Sequence, residues 1–412
     1  MSTWKVTNDM VEALSSSKLT GALPAIDGSN LTGVSGFPDT TSANDPATNT
    51  NPAGGVGTVW TNSTSGETYV CTDATTDANV WTNVGAGDGN ITPYTPGSFG
   101  GQGGGQNFGY HCGGLYPQVT NIQGKYSYAS DGDSTGVASM MMQGYAGSGC
   151  QSPTAGFSFG FDGAPATGQG QKVEKHVFAS NTQSHCASGA DLALWHLQLC
   201  TATNSITHGY AIGGGWNGAP GTGHANYGNI QKLSFATEAT MTFVGDAYNH
   251  NNSHVSLVAG AGSASNTHAY RAGGHGGPQT PSIEKWAFAS DANSAFVASM
   301  VRGNDTGCSG GSSGYHGYIM GGHAPSIIAP IVGRGGYSKY SFASDEDSTT
   351  VGSLFHPDSY SSGTSSTTHC YMAGGGHPQV NVIQKGSFAS DGNTTDVGNI
   401  VQARAYVHGY QN

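Results

Sequence analysis

A six-bladed β-propeller is the fold this chain predicts, and three observations carry that expectation. One phrase, aromatic-Ala-Ser-Asp or a close variant, is written six times, at Tyr128, Phe178, Phe235, Phe288, Phe342 and Phe388. The steps between successive aromatics are 50, 57, 53, 54 and 46 residues, a period that belongs to propeller blades. A second phrase, Gly-Tyr-x-x-Gly-Gly or a decayed form, precedes each copy, with its aromatic at Tyr110, Phe157, Tyr210, Tyr270, Tyr318 and Tyr371. Each repeat also divides into four short runs of strand-forming residues, and four strands make one blade.

The composition agrees with an all-β chain. Glycine accounts for 67 of 412 residues and only 9% are charged, against roughly 25% charged in ordinary domains. Small polar residues and glycine favour short strands and tight turns over helices. The net charge of −12 with 13 Lys plus Arg argues against nucleic acid, which needs clustered cations. No apolar run approaches the length of a membrane span, so no membrane insertion is expected. The N-terminus lacks the apolar stretch of a signal peptide. Seven cysteines with no Cys-x-x-Cys spacing read as reduced core residues, consistent with synthesis in a reducing cytoplasm.

Taken in order, residues 1–37 read as an N-terminal anchor in which Asn8 caps a short helix carrying Met10, Val11 and Leu14. Residues 38–56 read as a polar linker. Residues 57–84 read as a small β module: Val59 and Trp60 pair with Thr68, Tyr69 and Val70 across a turn, and Trp81 begins a third strand. A unit this small needs an oligomer or a neighbour for stability. Residues 85–107 read as a Gly-rich linker, and residues 108–412 as the propeller. In the fourth repeat Ala269–Ala272, Ile283–Phe288 and Phe296–Met300 are strands, with a turn at Ser290–Asn293. The C-terminal run Ala405–Tyr410 is expected to complete the blade that starts near Tyr110, which locks the last blade to the first.

The phrases HGYIMGG, THCYMAGG and VIQKGSFASDGNTTDVGNIVQAR resemble kelch-like repeats, and more closely those of tailed-phage virion proteins of the cyanophage type. The N-terminal LTGALPAIDGSNLTG and the module around Trp60 and Trp81 resemble pieces that precede such repeats in phage tail-fibre proteins. The resemblance implies a non-catalytic virion component, often a fibre or receptor-binding piece, and short phage fibres are commonly trimeric. The second and third repeats depart from the pattern, since Phe157–Phe161 has lost its Gly-Gly and Ala239–His250 replaces the usual turn. Those two blades are expected to be irregular.

Candidate chemistry is sparse. His208, His268, His316, His369 and His408 each stand two residues before a repeated aromatic, directly before its Gly-Tyr or variant. Equivalent places in a ring offer a metal or proton site, or a repeated structural hydrogen bond. Each repeat carries a lysine three residues before its aromatic phrase: Lys125, Lys175, Lys232, Lys285, Lys339 and Lys385. A Lys–acid pair inside each blade is expected, as between Lys285 and Asp291, with Asn181 and Glu238 in the acid's place in the second and third blades. Acidic turns at Asp131–Asp133, Asp345–Asp347 and Asp391–Asn393 supply two or three oxygens each, short of the six to eight calcium takes. Arg271, Arg302, Arg334 and Arg404 fall at unrelated points of their repeats, unlike the arginine cluster of a sialidase, and no nucleophile or zinc motif accompanies them.

No cofactor and no catalytic residue are expected. Binding is expected on the loops, where Trp216, Asn217, Asn249, Asn251, Asn252 and Tyr360 offer rings and amides to a glycan, or pack loop on loop. Three readings follow. The chain is a phage tail fibre or appendage, attached to other virion proteins through residues 1–100 as an oligomer, with its propeller on host surface polysaccharide. Alternatively it is a structural or decoration protein of head, neck or tail that binds only phage subunits. The third reading is a glycan-degrading propeller enzyme. The first two place it in the virion.

Overall fold

A computed structural model describes residues 38–84, 96–97, 101–102, 107–115, 118–161, 172–186, 191–193, 199–214, 228–248, 259–274, 281–301, 306–323, 335–376 and 378–412. The expected anchor and helix of residues 1–37 lie outside them. All regular structure among the described residues is β. None of it is a helix long and apolar enough to cross a membrane. The chain divides into two compact units, residues 1–93 and 94–412.

In the first unit, four strands pair in the order Thr40–Ser42, Val59–Asn62, Thr68–Asp73 and Val80–Asn83. The hairpin has the expected register, Val59 opposite Val70 and Trp60 opposite Tyr69. Trp81, Tyr69 and Cys71 are buried, and Trp60 meets Trp81 edge-on at 6.0 Å. The segment expected to be a linker is part of this sheet, because Thr40–Ser42 pairs in parallel with Val59–Asn62. Its polar side chains hold it there: Asn62 Nδ2 donates to Asp45 at 2.6 Å, and Asn79 Nδ2 donates to the Thr48 carbonyl at 2.8 Å. A segment with no apolar period is thus ordered by buried amides.

The second unit opens with a short strand pair, Pro96–Gly97 with Gly101–Gln102, inside the stretch expected to be linker. Six antiparallel four-stranded sheets follow. Sheet 1 is ordered His408–Gln411, Phe108–Cys112, Gln123–Ser127, Thr135–Gly136. The C-terminal strand therefore joins the first sheet, with Tyr410 opposite Tyr110. Sheets 2 to 6 take their strands in chain order. They run from Ser148–Gln151 to Thr182–His185, from Thr201–Asn204 to Thr242–Asp246, and from Ala261–Ala264 to Ala295–Ser299. The last two run from Ser309–Ser312 to Thr349–Ser353 and from Ser362–Ser365 to Thr395–Asn399. Sheets 2 and 3, expected to be irregular, keep all four strands, and the drifted residues Phe157–Phe159 and Thr242–Asp246 are themselves paired strand residues.

No sheet closes on itself. The six are joined in cyclic order by their first strands, and the strand of sheet 6 meets that of sheet 1. These strands are buried at every residue, and all but His408–Gln411 are built mainly from small side chains, because six backbones converge. A Cβ added to Gly310 would fall on the Gly262 carbonyl, and one on Gly363 would fall on that of Gly310. First-strand amides facing the neighbour are satisfied by its side chains. Ala264 N–H donates to Ser312 Oγ at 3.0 Å, Ser312 N–H to Ser365 Oγ at 3.1 Å, and Ser365 N–H to Gln411 Oε1 at 2.7 Å.

Three further cycles run between sheets. In the first, residues just before each first strand join backbone to backbone. Leu199 N–H donates to the Ala146 carbonyl, Ala259 to Leu199, Gly307 to Ala259, Tyr360 to Gly307, Val407 to Tyr360, and Ala146 to Tyr406. Ala146, Leu199, Ala259, Gly307, Tyr360 and Tyr406 all have φ between 55° and 75°, a conformation that costs a non-glycine residue roughly 1–2 kcal/mol. The second cycle stacks the aromatic of one phrase on that of the other in the next sheet. Tyr110 meets Phe178, Phe157 meets Phe235, Tyr210 meets Phe288, Tyr270 meets Phe342, Tyr318 meets Phe388, and Tyr371 meets Tyr128.

The third cycle is ionic and corrects the expected pairing. Five of the six lysines reach the turn of the following sheet and not their own: Lys175 to Glu238, Lys232 to Asp291, Lys285 to Asp345, Lys339 to Asp391, and Lys385 to Asp131, while Lys125 lies over Phe108 of its own sheet. The five paired lysines are about a quarter exposed or less. Loss of one clamp, as in Lys285→Met, is therefore expected to lower stability by about 1 kcal/mol or less. Loss of one stack, as in Tyr270→Ala, is expected to lower it by about 3–5 kcal/mol. Urea titrations of the two variants check that ordering, which equal losses would contradict.

Candidate binding face

The repeated polar residues are used by the framework. His208, His268, His316 and His369 each begin a second strand. Their backbone N–H groups donate to Ser205, Ser265, Ser313 and Ser366 Oγ at 3.0–3.1 Å. Three of the rings also bond through Nδ1 at 2.8 Å to the preceding Thr207, Thr267 or Thr368. Burial first, then the lysine of the same sheet, lowers the pKa of all four. His408 is not their equivalent. It begins the first strand of sheet 1, is buried, and places Nε2 2.9 Å from Ser158 Oγ. Among the described residues no three His, Cys, Asp or Glu gather as metal ligands. The acidic turns spend their oxygens on lysines and on neighbouring backbone: Asp133 accepts from Asn399 N–H and Asp347 from Ser299 N–H. All seven cysteines are buried thiols outside any disulfide. Arg271 and Arg404 are buried in separate places, and Arg302 and Arg334 lie outside the described residues.

Because the strands of each sheet are antiparallel, the first strand starts at the same end at which the second strand reaches its Gly-Gly. Trp216, Asn217, Asn249, Asn251 and Asn252 lie outside the described residues. Tyr360 is described and half-buried. Its ring stacks on Tyr406 at 4.3 Å, which meets Tyr145 edge-on at 5.7 Å, and the His323 ring lies tilted to it at 5.1 Å. Tyr360 and Tyr406 also line a central cavity of about 90 Å³ whose wall includes Ser148, Thr201, Ser309, Ser362 and His408. The arrangement places aromatic rings beside hydroxyl groups, the side-chain types that pack on the apolar face of a sugar and hydrogen-bond its hydroxyls.

The same loop holds a pair the sequence did not single out. Asp358 is buried and its carboxylate lies 2.9 Å from Nδ1 of the partly exposed His356. Burial raises the Asp358 pKa to about 7, against the pull of His356. The His356 backbone is fixed by Gln384, which accepts its N–H at 3.3 Å and donates to its carbonyl at 2.9 Å. The pair holds an imidazole at the surface in a set orientation. The signal available in the sequence was His-Pro-Asp in a loop where other repeats place unrelated residues.

A second repeated feature is apolar. Met141, Tyr248, Val301, Phe355 and Val401 occupy equivalent places after their outermost strands and are exposed. Their N–H groups are held where the next repeat offers an acceptor: Val301 donates to Ser348 Oγ and Phe355 to Thr394 Oγ1, both at 2.7–2.8 Å. No protein-family model matches the chain, and no curated protein matches it.

Proposed function

We propose that the chain is a non-catalytic component of a tailed-phage virion, a tail fibre or appendage. Its N-terminal hundred residues attach it, as an oligomer, to other virion proteins. Its six sheets are the blades of a kelch-like β-propeller that contacts host surface polysaccharide. The cyclic order of the first strands supports the propeller, and the resemblance of the repeat phrases supports the virion. The observation that carries the binding role is a division of labour. The repeated residues are consumed in joining the sheets, while one end carries unlike loops around an aromatic row and a polar cavity.

The test has two parts. Cryo-electron microscopy of the intact particle locates the chain, and binding of the full chain to host cells and to their extracted polysaccharide measures contact. Placement at free tips with binding to the polysaccharide is the expected result. Tyr360→Ala and Tyr406→Ala are each expected to weaken that binding about tenfold, or 1.4 kcal/mol. Placement within the head, neck or tail wall, with no binding, favours the structural reading. The exposed apolar positions from Met141 to Val401 favour it too, since they offer five equivalent contacts to a protein partner. Depolymerisation of the polysaccharide would overturn the non-catalytic assignment.

A further inference from the structure

Five of the six interfaces between successive sheets carry a lysine–carboxylate clamp, and the interface of sheets 1 and 2 does not. Asn181 stands where the other turns place an acid. The Lys125 ammonium lies instead 4.5 Å from the centroid of the Phe108 ring in its own sheet. This is also where the chain closes, because the first strand of sheet 1 is the C-terminal His408–Gln411.

A cluster of rings fills the unclamped interface, with a histidine at its centre. His176 is 1% exposed. Its ring centroid lies 5.1 Å from Tyr110, 5.7 Å from Phe178 and 5.9 Å from Tyr410. Neither of its nitrogens has a hydrogen-bond partner. The equivalent residues of the other sheets are Tyr126, Leu233, Trp286, Tyr340 and Gly386, none of which takes a proton in mild acid.

We propose that this interface is an acid-opened seam: protonation of His176 parts sheet 1 from sheet 2 while the five clamped interfaces stay closed. An imidazolium at this place meets no acceptor. Glu174 shares its face of the strand, but that carboxylate accepts the N–H groups of Met142 at 2.7 Å and Met141 at 3.1 Å. Lys175 points to the opposite face and clamps Glu238. The flanking strands place neutral Gly156 and Gln183 opposite His176. Sheet 1 contributes Tyr110, Tyr410 and Lys125, whose charge opposes protonation. Two more buried histidines, His111 and His408, stand in sheet 1 near Arg404.

Burial, helped by Lys125, holds the His176 pKa down to about 4, against about 6.5 for free imidazole. The open interface therefore binds the extra proton. Its closure is fully stable above about pH 6.5 and weakens as pH falls toward 4. Glu174 acts in the opposite sense, since burial raises its pKa to about 7 and acid relieves a buried charge. A histidine variant separates the two.

Hydrogen exchange of the full chain at pH 8 and pH 5, corrected for intrinsic rates, is the test. The strands Ala155–Phe159, Glu174–Val177 and His408–Gln411 are expected to lose protection about thirtyfold, while first strands of sheets 3 to 5 keep theirs. His176→Phe is expected to abolish the local loss. Asn181→Asp, on an exposed turn that already holds Asp in other sheets, supplies the missing clamp and is expected to shift the loss to lower pH. Uniform loss over all six sheets would overturn the proposal. So would a His176→Phe chain that opens like the parent, or an Asn181→Asp chain with an unchanged pH response.

Discussion

Removal of residues 407–412 is expected to abolish cooperative unfolding. The segment lost is short, but it joins the first strands of sheets 2 and 6 and carries one bond of the backbone cycle at the point of closure. Gln411 accepts the Ser365 N–H in sheet 6, Gln123 Nε2 donates to Tyr410 at 2.9 Å in sheet 1, and His408 meets Ser158 in sheet 2. The Tyr410 ring lies 5.4 Å from Tyr110 and 6.0 Å from Phe178. Without it Phe108–Cys112 loses its strand partner and the first strands of sheets 2 and 6 lose the neighbour that buries them, which is expected to drive aggregation. A milder variant, Tyr410→Ala, is expected to lose about 3–5 kcal/mol in urea titration. A truncated chain that remains monomeric and unfolds in one sharp transition would show that five sheets close without the strand, contrary to this expectation.

The repeat architecture was legible because its words are long and local. The aromatic phrases, the Gly-Gly doublets and the C-terminal Gly-Tyr each fix a strand or turn by their immediate neighbours, and the structure returns four strands per repeat. The partners of those words were not legible. Lys285 lies six residues from Asp291 but pairs with Asp345, one full repeat onward. Nothing within a repeat tells a contact inside a sheet from the same contact made with the next copy. The left-handed residues were hidden for another reason. Leu199, Ala259, Tyr360 and Tyr406 carry no glycine or asparagine signature, since the closed backbone cycle imposes the conformation.

The candidate site was legible only at Tyr360. Its row with Tyr406 and Tyr145 joins residues from three repeats, and only the cyclic order of the sheets brings them together. The expected linker failed on simpler grounds. Asp45, Thr48 and Asn51 order residues 38–56 through side-chain hydrogen bonds, which leave no apolar period to find.

Arg271→Met is expected to be among the most damaging single substitutions, and its double variant with Glu284→Gln to be nearly neutral. Arg271 Nη1 donates to Glu284 at 2.7 Å, with both side chains about 2% exposed or less. Glu284 also accepts the Tyr248 N–H at 2.6 Å and the Ser294 hydroxyl. Removing Arg271 leaves a buried carboxylate without its counter-charge, a loss of about 3–5 kcal/mol. The chain itself supplies the neutral solution. In sheet 6 the same two places hold Met372 and Gln384, with Sδ 3.9 Å from the amide nitrogen, and Thr394 donates to Gln384 as Ser294 does to Glu284. R271M/E284Q transplants that pair, and its stability is expected within about 1 kcal/mol of the parent, because a buried ion pair exchanged whole for well-packed neutral groups changes little. A urea double-mutant cycle decides it. A double variant as weak as R271M would mean that sheet 4 depends on the charges themselves and that the repeats are not interchangeable at this position. A double variant near the parent would mean that the framework tolerates either chemistry, which leaves the polar slots between sheets free to differ while the six-sheet ring stays closed.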